Sequence, residues 1–206
     1  MILAPVGLVA LLAAGQAAAA SPQPSSPGSL ALSWDLARSL AQKLEVLERR
    51  RKQPDPGTTK PVVVTEAELN SYLNLSLGER MPPGLDDVAV MLDRGRIAAR
   101  ALVDLQQVQG KAPPSSPWSP LAYLTGRVPL ELTGRYRNHQ EGFGSLEVEE
   151  IRLASLPVPM SLLEQLILQA TQTRENPRGF DIHAPFRLPY TAKRLRVQKG
   201  QAQLEF

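Results

Sequence analysis

The chain has 206 residues, no cysteine, a net charge of +3 and 5% aromatic residues. Without thiols there is no disulfide, thiolate metal site, cysteine nucleophile or lipid-modified N-terminal cysteine. Nearly balanced, interspersed charge and few aromatics speak against a surface that stacks nucleic acid or sugar, so no nucleic-acid partner is expected.

Residues 1–20 carry no charge and end in Ala17-Ala18-Ala19-Ala20 before Ser21. The pattern is that of a secretory signal peptide cleaved after Ala20, although no Lys or Arg precedes the apolar run. A retained membrane anchor is the competing reading, because about 20 apolar residues span ~30 Å of hydrocarbon. Pro5, Gly7 and Gln16 weaken it. Both readings place the rest of the chain outside the cytoplasm, in the periplasm or another extracytoplasmic space. Residues 21–29 (SPQPSSPGS) read as a linker, and 30–206 as one domain.

Residues 30–52 predict an amphipathic helix, with Leu30, Trp34, Ala37, Leu40, Ala41, Leu44 and Leu47 along one face. It ends in Arg49, Arg50, Arg51 and Lys52. A basic last turn complements the helix dipole. The functional alternative is contact with anionic headgroups, at about 1 kcal/mol per basic residue. QPDPGTTK at 53–60 then breaks the helix and makes a Pro-rich connector.

A β-branched run, Val62-Val63-Val64, leads into Thr65-Glu66-Ala67-Glu68, the signature of a capping box. The helix that follows aligns Leu69, Tyr72, Leu73 and Leu77. Two hairpins come next, 88–92 with 96–108 and 127–137 with 145–153, separated by a Pro-rich loop that contains Trp118. On the first, Ile97, Ala99 and Ala101 give one wholly apolar face, and the two alanines leave space for a helix or a ligand. On the second, the apolar phase shifts between Val148 and Ile151, which predicts a bulge near Glu149-Glu150.

A second capping-box pattern, Ser161 to Glu164, opens a helix with the stripe Leu162, Leu163, Leu166, Ile167 and Ala170. Phe186 lies on the approach to a terminal hairpin turning at Lys199-Gly200, with Leu195, Val197, Ala202, Leu204 and Phe206 inward. Hairpins without βαβ alternation imply an α+β domain with an antiparallel sheet.

Chemistry is sparse. Asp181-x-His183 would put both side chains on one strand face, but a metal needs a third ligand and none lies nearby in sequence, so no metal is expected. Glu147, Glu149 and Glu150 read as an exposed acidic strand edge, and Asn74-Leu75-Ser76 is a short glycosylation pattern of the kind that arises by chance. There is no G-x-S-x-G, Walker loop or HExxH, and neither a cofactor nor an enzymatic activity is expected.

Three segments carry a resemblance: VVVTEAELNSYLN, DVAVMLDRGRIAARALVDL, and IRLASLPVPMSLLEQLI followed by PFRLPYTAKRLRVQKGQAQLEF. Together they resemble small exported bacterial proteins of the LmeA/YpmS type, which are related in style to tubular lipid-binding (TULIP-like) and AsmA-like modules. The resemblance implies a curved antiparallel sheet wrapped around helices, with an elongated apolar cavity for a phospholipid or polyprenyl lipid. The leading Trp34 helix and the Pro-rich loop depart from that pattern.

Lipid binding also has a physical rationale, since each buried methylene contributes roughly 0.8 kcal/mol. The residues nominated for it are Leu69, Tyr72, Leu73, Ile97, Ala99, Ala101, Leu162, Leu163, Leu166 and Phe186. Arg49, Arg50, Arg51 and Lys52 are nominated for headgroup or membrane contact. Ordinary core is the alternative for each apolar residue. The expected partner is a lipid or membrane surface. The alternative function is an envelope assembly adaptor with a packed core that recruits a protein through a hairpin edge. A hydrolase using Glu147 and Asp181 is a distant third.

Overall fold

The structure, a computed structural model, describes residues 31–52, 60–77, 81, 84–109, 126–161, 164, 181 and 183–206. The apolar leader, the linker, the Trp118 loop and the nominated Leu162, Leu163 and Leu166 lie outside them.

Helix α1 (Trp34–Lys52) buries Ala37, Leu40 and Leu47 at the predicted spacing, whereas Trp34 stands 60% exposed in its first turn. Strand β1 (Val62–Thr65) runs straight into α2 (Glu66–Ser71), which continues as a π-turn, Tyr72–Ser76. The hairpin of β2 (Leu85–Asp93) and β3 (Arg96–Asp104) closes through Arg94 and Gly95, both at positive φ. This is the turn whose twist matches the strands. The second strand stops at Asp104, short of the predicted Val108, because Leu105–Gln109 forms a helical turn, α3. Strands β4 (Arg127–Asn138) and β5 (Phe143–Leu153) make the long hairpin. Short β6 (Leu156–Pro157) and β7 (Phe186–Arg187) pair with the two ends of β5. A 3-10 turn, Pro189–Thr191, precedes β8 (Arg194–Gln198) and β9 (Gln201–Glu205).

The α+β class stands, but the single curved sheet wrapped around helices does not. The strands form two open antiparallel sheets, one running β2-β3-β4-β5-β6 with β7 beside it, the other β1-β9-β8. The reason lies in the terminal hairpin. Its β9 takes β1 as neighbour, in the register Val62↔Leu204, instead of extending the larger sheet. Among the described residues, isolated hydrogen bonds and no continuous ladder join the two sheets: Gly95 N–H donates to Val197 O at 2.9 Å and Gly200 N–H to Leu92 O at 2.8 Å. Asn138 adds a third link, donating from Nδ2 to Leu195 O (2.9 Å) and accepting from Leu195 N–H (3.1 Å).

The register of β4 with β5 jumps from Thr133↔Glu150 to Gly134↔Val148, leaving Glu149 as the extra residue. That residue meets a local need. Arg96 and Arg135 sit directly opposite each other, a repulsive cross-strand pair. Glu149 lies 3.2 Å from Arg96 and 3.1 Å from Arg135 and screens it. The face they share is a mosaic of such pairs, including Arg137–Glu147 at 2.6 Å and Arg152–Glu150 at 2.6 Å.

The other face is apolar. One cluster gathers Leu40 and Leu47 of α1, Leu69 and Leu73 of α2 and the π-turn, Val88, Val90 and Leu92 of β2, and Ile97, Ala99 and Ala101 of β3. Leu188, Tyr190, Leu195, Val197 and Leu204 close it from the C-terminal side. A smaller cluster centres on Leu132 and Ile151, with Val158 and Met160 packed against it.

Candidate functional site

The site is built around α2, whose start is set locally. Thr65 caps it and Glu68 reaches back to the Thr65 N–H at 2.9 Å, completing the predicted box. The same carboxylate then leaves the helix for α1. Its oxygens accept from Lys43 Nζ at 2.6 and 2.7 Å and from Ser39 Oγ at 2.6 Å. Glu68 is only 5% exposed. Burial pushes its carboxyl up, but the Lys43, Ser39 and Thr65 hydrogen bonds outweigh burial and hold it below the usual carboxylate value.

The opposite side of α2 meets the free edge of β2. Asn70 pairs with Val90 as a strand would, accepting from its N–H at 2.7 Å and donating to its carbonyl at 2.9 Å. Asn74 repeats the pattern on Val88, at 3.0 and 2.7 Å. Glu66 accepts from Leu92 N–H at 2.8 Å, and Gly200 N–H serves Leu92 O. Every outward main-chain group of Val88, Val90 and Leu92 therefore has a partner. The match is geometric: four helical residues advance about 6 Å and two strand residues about 6.8 Å. The stripe Glu66-Asn70-Asn74 thus reads along Leu92-Val90-Val88 as a surrogate strand.

Just past Asn70 the helix widens, with Leu77 N–H bonded to Tyr72 O at 3.1 Å. Single π-turns of this kind concentrate at functional positions. The 3-10 turn that shares the underside of α1 is also irregular. Tyr190 and Thr191 have φ of 57° and 61°, a strained arrangement for side-chain-bearing residues. Tyr190 is 4% exposed, and burial, aided by Glu48 and Tyr72, pushes its hydroxyl up to about 12.

The nominated residues fall as follows. Leu69, Leu73, Ile97, Ala99 and Ala101 enter the one large cluster, and Tyr72 and Phe186 pack against it. Arg49 to Lys52 occupy the last turn of α1 with partners there: Arg51 on Glu48, Lys52 3.7 Å from Glu48 and Arg49 3.7 Å from Glu45. Arg50 donates to Lys60 O at 3.2 Å and lies 5.3 Å above the Phe206 ring. Asp181 accepts from His183 N–H at 2.9 Å, and His183 Nε2 meets Glu164 at 2.8 Å, a partner remote in sequence. Among the described residues no group of three His, Asp or Glu side chains is placed to hold a metal. Among them, too, no helix is long and apolar enough to cross a membrane.

Glu66, Asn70 and Tyr190 carry the geometry and were not singled out by sequence. A signal existed for the asparagine clamp, because Glu66, Asn70 and Asn74 stand four apart along one face of the helix. Asn74 also heads the short Asn-Leu-Ser pattern, and its Nδ2 is spent on Asn70 O (2.8 Å) and Val88 O (2.7 Å).

No protein-family model, curated protein or solved structure matches the chain. The structure gives most residues of one sequence motif a role. In Thr65-Glu66-Ala67-Glu68-Leu69-Asn70 the threonine caps, the two glutamates bind β2 and α1, the leucine enters the core and the asparagine clamps the edge.

Proposed function

We propose that this protein binds a lipid outside the cytoplasm, sheltering an acyl or isoprenoid chain against its apolar cluster and performing no chemistry of its own. The observation that carries the reading is the convergence of seven nominated residues, Leu69, Tyr72, Leu73, Ile97, Ala99, Ala101 and Phe186, on one apolar cluster spanning helices and both sheets. Two charged side chains of α2 serve the scaffold: Glu68 joins two helices, and Glu66 seals a strand. A ligand held there gains affinity from methylene burial, at roughly 0.8 kcal/mol each, without needing a polar anchor.

One observation favours the adaptor reading. Leu47, Leu73 and Val90 are at most 1% exposed, as in a filled core. An adaptor would not recruit its partner through the β2 or β8 edge, however. The first is clamped by α2, and the second is met by Gly95, Asn138 and Gly142. Native mass spectrometry of protein purified from the producing cell separates the readings. A lipid mass that organic extraction removes is expected. A clean unliganded mass, with no uptake of a pyrene-labelled phospholipid from vesicles, would favour the adaptor.

A further inference from the structure

We infer that α1 is a displaceable cover, and that the lipid chain lies in the place α1 occupies when the protein is empty, against Leu69, Tyr72, Leu73 and Tyr190. The inference rests on the lipid-binding reading and says where and how the chain enters. Its starting point is that the buried members of the apolar cluster are each at most 8% exposed, so a ligand reaches them only if some layer leaves.

The attachments single out α1. Among the described residues no main-chain hydrogen bond joins α1 to another element. Its polar ties all involve a side chain: Ser33 N–H to Ser71 Oγ at 3.1 Å, Ser39 and Lys43 to Glu68, Lys43 to Val63 O at 2.8 Å, and Arg50 to Lys60 O. The strands are woven together by sheet ladders, and α2 with its π-turn is tied to β2 by the Asn70 and Asn74 clamps. Removing α1 leaves every one of those main-chain partners in place.

What α1 covers is also unlike the rest of the core. It packs on α2, on the π-turn and on the Pro189–Thr191 turn. The π-turn and the positive-φ pair Tyr190-Thr191 thus lie together under one helix. Irregular backbone of both kinds is retained where a site requires it. Lys43 and Glu68 form the latch near the middle of α1, with Glu68 almost wholly shielded by the contact.

The test locks the cover. Ser33→Cys with Ser71→Cys places two thiols where Ser33 N and Ser71 Oγ are 3.1 Å apart, in a chain with no other cysteine. The readout is uptake of a pyrene-acyl phosphatidylglycerol from vesicles. Oxidation should cut the uptake rate at least about tenfold and reductant should restore it, as expected when a local opening gates access. Equal uptake by the oxidised and reduced forms would overturn the cover while leaving lipid binding intact. No uptake by the wild-type protein either would remove the lipid-binding reading and the cover with it. Should the double variant fail to fold, hydrogen exchange on the wild-type protein decides. The α1 amides should be at least about tenfold less protected than those of β3 and β4. Protection equal to that of the strands would sink the inference.

Discussion

Helices α1 and α2 both pack apolar residues into the same cluster, yet they are attached in different ways. The face of α2 toward β2 carries Glu66, Asn70 and Asn74, which bond to the main chain of an edge strand. The face of α1 carries Ala37, Leu40, Leu44 and Leu47, with Lys43 as its main polar contact. The difference teaches that burial alone does not make a helix integral to a fold. A helix that holds both the N–H and carbonyl groups of an edge strand leaves a row of them unpaired if it goes, whereas α1 gives up apolar contact, the Glu68 latch and two side-chain bonds to carbonyls, Lys43 to Val63 and Arg50 to Lys60.

The largest effect should come from breaking the α2 clamp. Asn70→Ala leaves the buried Val90 N–H and carbonyl without partners, so urea denaturation should show a loss of about 3 kcal/mol. A loss below about 1 kcal/mol would mean that the edge is satisfied some other way. Asn74→Ala, at a half-buried position, should cost less, about 1–2 kcal/mol.

Breaking the α1 latch should be milder and more local. Glu68→Gln weakens charge-assisted bonds and should cost roughly 2 kcal/mol. In hydrogen exchange the loss of protection should concentrate in α1 and spare β3 and β4. A uniform loss would show that the two helices belong to one cooperative unit.

Acid should sharpen the same contrast. The Glu68 carboxyl is held below its unfolded value, so its contribution is complete above the ordinary carboxylate pKa of about 4.5 and disappears as pH falls through the folded value. Amide chemical shifts of α1 around Lys43 should move below about pH 4.5, as Glu68 protonates at its lowered value, on a profile separate from that of the strands. If they move together with the strands, the latch does not titrate independently. The smallest effect is expected at the exposed end of α1. Arg49→Met removes a surface pair with Glu45, 3.7 Å away, and should leave the urea midpoint unchanged within error.

Local chemistry was legible in the chain because it needs only near neighbours. Thr65 and Glu68 announce a helix start, Arg94-Gly95 a tight hairpin, and the phase slip after Val148 a bulge at Glu149. The apolar spacing of α1 identified Ala37, Leu40 and Leu47 as buried, and Leu69, Leu73, Ile97, Ala99 and Ala101 were correctly grouped as inward-facing. Whether the inward positions of one element touch those of another is not a property of spacing. Neither is the choice of strand partner: β1 and β9 are separated by most of the chain, and their pairing split the expected single sheet into two.

The chain by itself therefore determined the main helices and hairpins and their inward faces, which follow from periodicity and capping. Only the tertiary structure decided that Asn70 and Asn74 stand in for a strand, that Glu68 bridges to Lys43, and that Tyr190 lies beneath α1 beside the π-turn. Those are contacts between residues about 14 to more than 100 positions apart, set by which surfaces the collapsed chain brings together rather than by any neighbour's preference.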